Sequence, residues 1–290
     1  MEPKDKIVVF ESKQVRRVWH NEEWWFSIID VIEVLSESPQ PSRYWNELRT
    51  RMQQESHNDK LFANTEKLKM QSLDGKMRAT DAANTETLFR IIQSIPSPKA
   101  EPFKQWLAKV GYERIQEIEN PELAAERARQ YYRDLGYDEA WIDTRLKSID
   151  TRGRLTDEWK DRGVKEGLEF SILTAEIAKA TFGLAPSEHK KVKGLKNENL
   201  RDHMNPLELI FTMLGEETTR QEAVDRDALG FEENKEAAID GGTAAGAALA
   251  TYEEKTGKKV VSARNFKAQI AEAKQKQKLL DEESKEEIVE

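Results

Sequence analysis

The 290-residue chain contains no cysteine and only four histidines. The absence of cysteine excludes disulfides, thiolate nucleophiles and cysteine-ligated zinc. The histidines are not spaced as metal ligands, and neither a serine nucleophile elbow nor a helical HExxH motif accompanies them. The sequence therefore predicts no catalytic residues, no metal site, no cofactor and no enzymatic activity.

Long apolar runs are also absent. The first ten residues, MEPKDKIVVF, are charged, and their apolar run is too short for the core of a signal peptide or for a membrane span. We therefore expect a soluble, cytoplasmic protein with no membrane partner.

The net charge of −8 is distributed unevenly along the chain. Of the 46 basic and 54 acidic residues, 18 of each lie within residues 1–118, which leaves 28 basic and 36 acidic residues in the remainder. The N-terminal part is therefore neutral, and the whole excess of acid belongs to the C-terminal part. A neutral domain can still bind phosphate if its cations share one surface, because this attraction depends on local charge.

Residues 14–54 predict two strands followed by two helices. Alternating side chains in 14–19 and an aromatic run in 24–26 indicate strands joined by a turn at 20–23. Ser27 is a predicted N-cap for a helix whose apolar stripe is Ile28, Val31, Ile32 and Leu35. Arg16 and Arg17 lie in the first strand, where they are candidate nucleic-acid contacts.

The second of these helices follows Pro41 and carries several cations. Its candidate nucleic-acid-binding residues are Arg43, Asn46, Arg49 and Arg51, with Asn46 able to read a base edge. An ordinary amphipathic surface is the alternative, since Glu47 on the same helix dilutes the charge. Tyr44, Trp45 and Leu48 are expected to lie in the core.

The run EKLKMQSLDGKMRATD predicts a β-hairpin around Asp74 and Gly75. A two-residue turn there would place Gln71 opposite Arg78. Period-two alternation would then put four cations on one face of the hairpin: Lys67, Lys69, Lys76 and Arg78. Leu68, Met70, Met77 and Ala79 would occupy the other face. Phosphate contacts are the functional interpretation of the cationic face, and a solvated edge protected by lysines is the alternative.

Beyond Asn120-Pro121, the pattern is almost entirely helical. The sequence thus predicts an α+β protein: a small N-terminal domain (1–118) of β-hairpins and helices, an all-helical C-terminal domain (119–280) and a disordered tail (281–290). Within the helical part, GGTAAGAALA lacks the ending of a phosphate-binding loop and predicts close helix packing instead. The cluster of His189, Lys190, Lys191, Lys193 and Lys196 is either a second phosphate contact or a solvated helix end.

Two segments of the N-terminal part, WWFSIIDVIEVL and FRIIQSIPSPKAEPFKQWL, resemble the Bro-N domain of phage antirepressors and baculovirus repeated-ORF proteins. Downstream, KGLKNENLRDHMNPLELIFTMLGEETTRQEA resembles the C-terminal half of DNA-damage-inducible protein D, which itself begins with a Bro-N-like domain. The two resemblances therefore point to one family.

The resemblance implies a DNA-binding, antirepressor-like regulator of a bacterial or mobile-element response to DNA damage or stress. The alternative is a protein-interaction module that binds a repressor or a recombination filament without sequence-specific DNA binding. A homodimer contact through the charged helix near 267–278 is a further option.

Overall fold

A computed structural model describes residues 8–10, 13–36, 38–55, 65–72, 74–273 and 275–276, with the side chains of those from Val15 onward except Glu55. The chain divides into two compact units, Met1–Asn120 and Pro121–Glu290. The functional domains assigned from the sequence stay predictions, and the predicted disordered tail lies outside the described residues.

The N-terminal unit combines six strands with four helices among its described residues. The strands are β1 (Val8–Phe10), β2 (Lys13–Val15), β3 (Arg17–His20), β4 (Glu23–Ser27), β5 (Thr65–Gln71) and β6 (Met77–Asn84). The helices are α1 (Ile28–Ser36), α2 (Pro41–Glu55), α3 (Thr85–Gln93) and α4 (Glu101–Glu119), with a short 3-10 helix at Pro98–Ala100.

The strands form two antiparallel sheets. β1 pairs with β2, and the larger sheet has the order β3-β4-β6-β5. Asn21 and Glu22, both with positive φ, form the tight turn between β3 and β4. Such a turn matches the right-handed twist of the two strands that it joins.

The core of this unit lies between the sheet and its helices. Ser27 accepts a hydrogen bond from the backbone N of Asp30 at 3.3 Å, so the predicted N-cap of α1 is confirmed. The predicted stripe of α1 is buried, together with Trp45 and Leu48 of α2 and Leu88 and Ile91 of α3. The N-cap of α3 is Asn84, whose Oδ1 accepts from Thr87 N at 3.1 Å.

The described residues of the C-terminal unit form helices joined by loops. Its helices are α5 (Glu122–Asp134), α6 (Glu139–Asp161), α7 (Leu168–Phe182), α8 (Pro186–Val192), α9 (Pro206–Asp225) and α10 (Gly230–Thr256), with a 3-10 helix at Arg201–His203 and a further helical segment at 267–273. The α+β prediction is confirmed.

Helices α7, α9 and α10 pack against one another, and α6 packs on α9. Small residues permit the close approach of α10: a Cβ added to Gly241 would lie 2.3 Å from the backbone N of Thr219 on α9. The predicted packing role of this glycine-rich stretch is therefore confirmed. None of the described helices is long and apolar enough to cross a membrane.

Candidate nucleic-acid interface

The hairpin of β5 and β6 has a register that differs by one residue from the prediction. Gln71 lies opposite Met77, and Met70 lies opposite Arg78. Ser72 N donates to Lys76 O at 2.9 Å, and Gly75, with φ of +79°, donates to Ser72 O at 2.8 Å. The turn therefore contains three residues instead of two, which is the second common way to close a hairpin with glycine in the left-handed region.

This shift divides the predicted cationic face. Residues opposite each other in an antiparallel pair share a face, so Arg78 lies on the face of the buried Met70. Lys67 and Lys69 alternate with Met70 and therefore lie on the opposite face, beside Asp81 and Ala79. The placement of all four hairpin cations on one face was wrong, because a one-residue shift exchanges the faces of a strand.

All four hairpin cations are nevertheless exposed. Arg78 forms an ion pair with Asp74 at 2.5 Å, whereas the lysines at 67, 69 and 76 have no carboxylate partner among the residues described. Nearby Asp81 accepts a hydrogen bond from the indole N of Trp45 at 3.0 Å. The hairpin thus presents lysine charges to solvent that no described acidic group neutralises.

Helix α2 exposes some of its predicted contact residues and uses others locally. Arg43 and Asn46 are exposed, and Arg43 donates to Glu47 at 2.9 Å. Arg51 is exposed but donates to the backbone O of Ser94 at 2.9 Å, and Arg49 is half-buried. The expected burial of Trp45 and Leu48 is confirmed, so α2 has one core face and one solvent face.

Arg16 and Arg17 are both occupied within the N-terminal unit. Arg16 donates to both carboxylate oxygens of Asp30, at 2.8 and 2.6 Å, and this hydrogen-bonded pair raises the pKa of Arg16 even though burial opposes it. The guanidinium of Arg17 lies 3.9 Å from the ring centroid of Trp24. This cation–π geometry and the Arg16–Asp30 pair hold β3 to its neighbours, so neither side chain is presented as a free phosphate contact.

Three cations converge on the C-terminal end of α3, a feature that the sequence did not indicate. Arg51 donates to the backbone O of Ser94, and Arg90 donates to Ser94 Oγ, both at 2.9 Å. Lys104 donates to the backbone O of Ile95 at 2.8 Å. Positive charge is favoured at this position because the last carbonyls of a helix carry partial negative charge. These side chains come from three helices, and only the tertiary structure brings them together.

The histidines and lysines near α8 do not form an exposed phosphate contact. His189 and Lys193 are buried, and both contact the buried carboxylate of Glu208, at 3.1 and 2.8 Å. Burial opposes ionisation of Glu208, but hydrogen bonds from His189, Lys193 and Asn205 outweigh it and lower its pKa. The two predicted roles of this cluster, a phosphate contact or a solvated helix end, were therefore both wrong for His189 and Lys193.

No group of acidic or histidine side chains suited to a metal ion occurs in the described parts of the chain.

Residues 14–116 match the model of the family described as BRO family, N-terminal domain. This match supports the resemblance of the N-terminal part of the chain to the Bro-N family. None of the curated proteins matches the chain. The Bro-N domain is typical of phage antirepressor-like DNA-binding proteins, and it supports DNA binding and antirepressor-like regulation. The matched residues include the hairpin and α2. They also include all the residues that the sequence predicts to contact nucleic acid.

Proposed function

We propose that the chain is a cytoplasmic DNA-binding regulator of the antirepressor type, and that its β5–β6 hairpin holds the phosphate backbone. The observation that carries this proposal is the exposure of Lys67 and Lys69 without a carboxylate partner among the described residues. An exposed, uncompensated lysine attracts phosphate and releases counterions on binding, whereas a lysine already paired with acid gains less. This function requires no catalytic chemistry.

The two faces of the hairpin have different roles in this proposal. Lys67 and Lys69, on one face, are the principal phosphate contacts. Arg78 lies on the other face and must exchange Asp74 for phosphate. Phosphate contacts of this kind fix the position of a protein on DNA but carry no sequence information.

Helix α2 is the proposed source of any base contact. Arg43 and Asn46 lie on its exposed face, and an asparagine amide can pair with both hydrogen-bonding groups of adenine in the major groove. Arg16, Arg17 and Arg49 are assigned no direct contact. Arg16 pairs with Asp30 of α1, Arg17 stacks on Trp24 of β4, and Arg49 is half-buried.

The experiment that tests this function compares two double variants of the full chain by electrophoretic shift with duplex DNA. Lys67→Ala/Lys69→Ala is expected to weaken binding by at least tenfold, because two phosphate contacts are lost. The matched control, Arg154→Ala/Arg226→Ala, removes two cations that are ion-paired on the helical unit. Equal weakening by the two variants would mean that total charge, and not the hairpin, controls binding.

The setting of a DNA-damage response is a finer part of the proposal. It rests on the resemblance of residues 193–223 to DNA-damage-inducible protein D. Expression of the protein in its host is expected to rise after treatment with a DNA-crosslinking agent. An unchanged protein level after damage would remove this setting and leave the DNA-binding role untouched.

A protein-interaction module is the second candidate function, and α4 favours it. This helix exposes large apolar side chains that would be costly to leave in water: Trp106, Val110, Tyr112, Ile115 and Ile118. A repressor, a recombination filament or a second copy of the chain could cover them. Light scattering of the purified protein tests the homodimer, and co-purification with a defined repressor or recombinase, in the absence of any DNA shift, would favour this second function.

A further inference from the structure

The helical unit contains a pocket of about 440 Å³ beside α7, α8 and α9. Its wall combines apolar side chains with charged ones. The apolar part includes Ile177, Phe182, Leu200 and Met204, and the charged part includes Arg201 and Glu216. A mainly apolar pocket with a few charged groups is the usual form of a small-molecule site.

The charged groups in the wall and directly behind it include two arginines that share one carboxylate, that of Glu216. The carboxylate of Glu216 is almost fully buried and accepts hydrogen bonds from two guanidinium groups, those of Arg152 and Arg201. Neither arginine has a second carboxylate partner within the described part of the chain. One positive charge therefore remains uncompensated, and burial of Arg152 lowers its pKa, which shows the cost of holding this charge away from water.

The other charges around the pocket do not cancel this excess. Glu198 also lines the pocket, but it is paired with Lys267 at 2.7 Å. Lys190 lines the pocket with no acceptor or carboxylate among the described residues. A local excess of positive charge is notable because residues 119–290 carry the whole net charge of −8.

We propose that this pocket binds a small organic anion, with its carboxylate or phosphate at Arg201 and its apolar body against Ile177, Phe182 and Met204. Arg201 uses Nη1 and Nη2 for Glu216, and its Nε–H has no acceptor in the described structure. An arginine has five N–H donors in a fixed plane. The guanidinium of Arg201 can therefore bind an incoming anion through Nε–H while it keeps its hydrogen bonds to Glu216.

Titration calorimetry of the full chain tests the proposal with four small probes of similar size. Phenyl phosphate and phenylacetate are the anionic probes, and their relative affinities distinguish phosphate from carboxylate. Benzamide and benzylamine are the neutral and cationic controls. We expect at least one anion to bind at least tenfold more tightly than either control. Failure of both anions to bind, or equal binding of anion and amine, would overturn the proposal.

Two variants locate the site of binding. Arg201→Gln is expected to weaken binding of the anion by about tenfold or more, because it removes a charge-assisted hydrogen bond. Ala178→Leu places a larger apolar side chain in the pocket wall and is expected to abolish binding while all the charges remain. The Ala178→Leu variant keeps the test valid if Arg201→Gln does not fold.

The matched control is Arg226→Gln. Arg226 lies on the same unit, where it pairs with Glu222 and Asp240, and its variant should bind the anion normally. Unchanged binding by Ala178→Leu would contradict the assignment.

Discussion

The two units use their cations in different ways. In the helical unit, arginines link neighbouring elements through buried or half-buried carboxylates: Arg145 pairs with Asp202 at 2.8 Å, and Arg152 pairs with Glu216 at 3.3 Å. In the N-terminal unit, the hairpin lysines face solvent without a carboxylate partner among the described residues. Several arginines of the acidic unit therefore stabilise its own structure, whereas the hairpin lysines of the neutral unit remain available to a partner.

This difference shows why net charge was a poor guide to function. A lysine in a buried pair contributes to the stability of the fold and little to the field outside it, whereas an exposed lysine does the reverse. The chain can therefore be acidic overall and still present a positive hairpin. Substitutions of single cations should separate the two uses.

The largest effect is expected from Lys193→Met, which leaves Glu208 buried with only His189 as an ionisable partner. Removing one member of a buried ion pair costs about 3 kcal/mol or more, because the remaining charge loses its compensation. Urea denaturation followed by circular dichroism measures the loss. Lys67→Met, at an exposed position with no ion-pair partner among the described residues, should change stability by less than about 0.5 kcal/mol. Similar losses for the two variants would remove the contrast between the units.

A smaller loss is expected from Gly241→Ala, which tests the close packing of α10 on α9. The added methyl group would lie 2.3 Å from the backbone of Thr219, so the helices must separate at a cost of about 1–3 kcal/mol. Gly153→Ala is the control, since no described atom beyond its chain neighbours and its own helix backbone lies within 4 Å of the added Cβ, and alanine favours a helix. Thermal unfolding should show a lower midpoint for the first variant and an equal or higher midpoint for the second.

The smallest effect is expected from the titration of His203. This buried ring accepts a hydrogen bond from Phe266 N at its Nδ1, and burial lowers its pKa. Because the folded state disfavours the charged ring, stability should fall as the pH drops below about 6.5, the ordinary pKa of histidine, towards the lower folded value. His203→Asn should flatten this part of the stability–pH curve. An identical pH dependence in the variant would contradict the assignment.

Local features of the fold were predictable from the sequence. Ser27 caps α1 because a serine precedes the apolar stripe, and the burial of Trp45 and Leu48 follows from helical spacing. The helix start at Pro206 follows Asn205, whose side chain accepts from Glu208 N at 3.0 Å. These features depend on neighbours within about one helical turn, which the sequence displays directly.

Features that depend on turn length or distant contacts were not predictable. Asp74-Gly75 fits a two-residue turn or a three-residue turn, and the choice exchanges the faces of one strand of the hairpin relative to the other. Residues 149–155 contain a glycine, which disfavours a helix, yet α6 continues through them with Thr151 and Leu155 buried. The convergence of Arg51, Arg90 and Lys104 required the tertiary structure.

The salt dependence of duplex binding tests the central claim most directly. For the full chain, the logarithm of the association constant should fall linearly with the logarithm of salt concentration. Lys67→Ala/Lys69→Ala should make that slope shallower by about 1.8, which corresponds to two lost phosphate contacts. The Arg154→Ala/Arg226→Ala control should keep the wild-type slope. A hairpin variant that also keeps the wild-type slope and affinity would show that these lysines do not contact DNA.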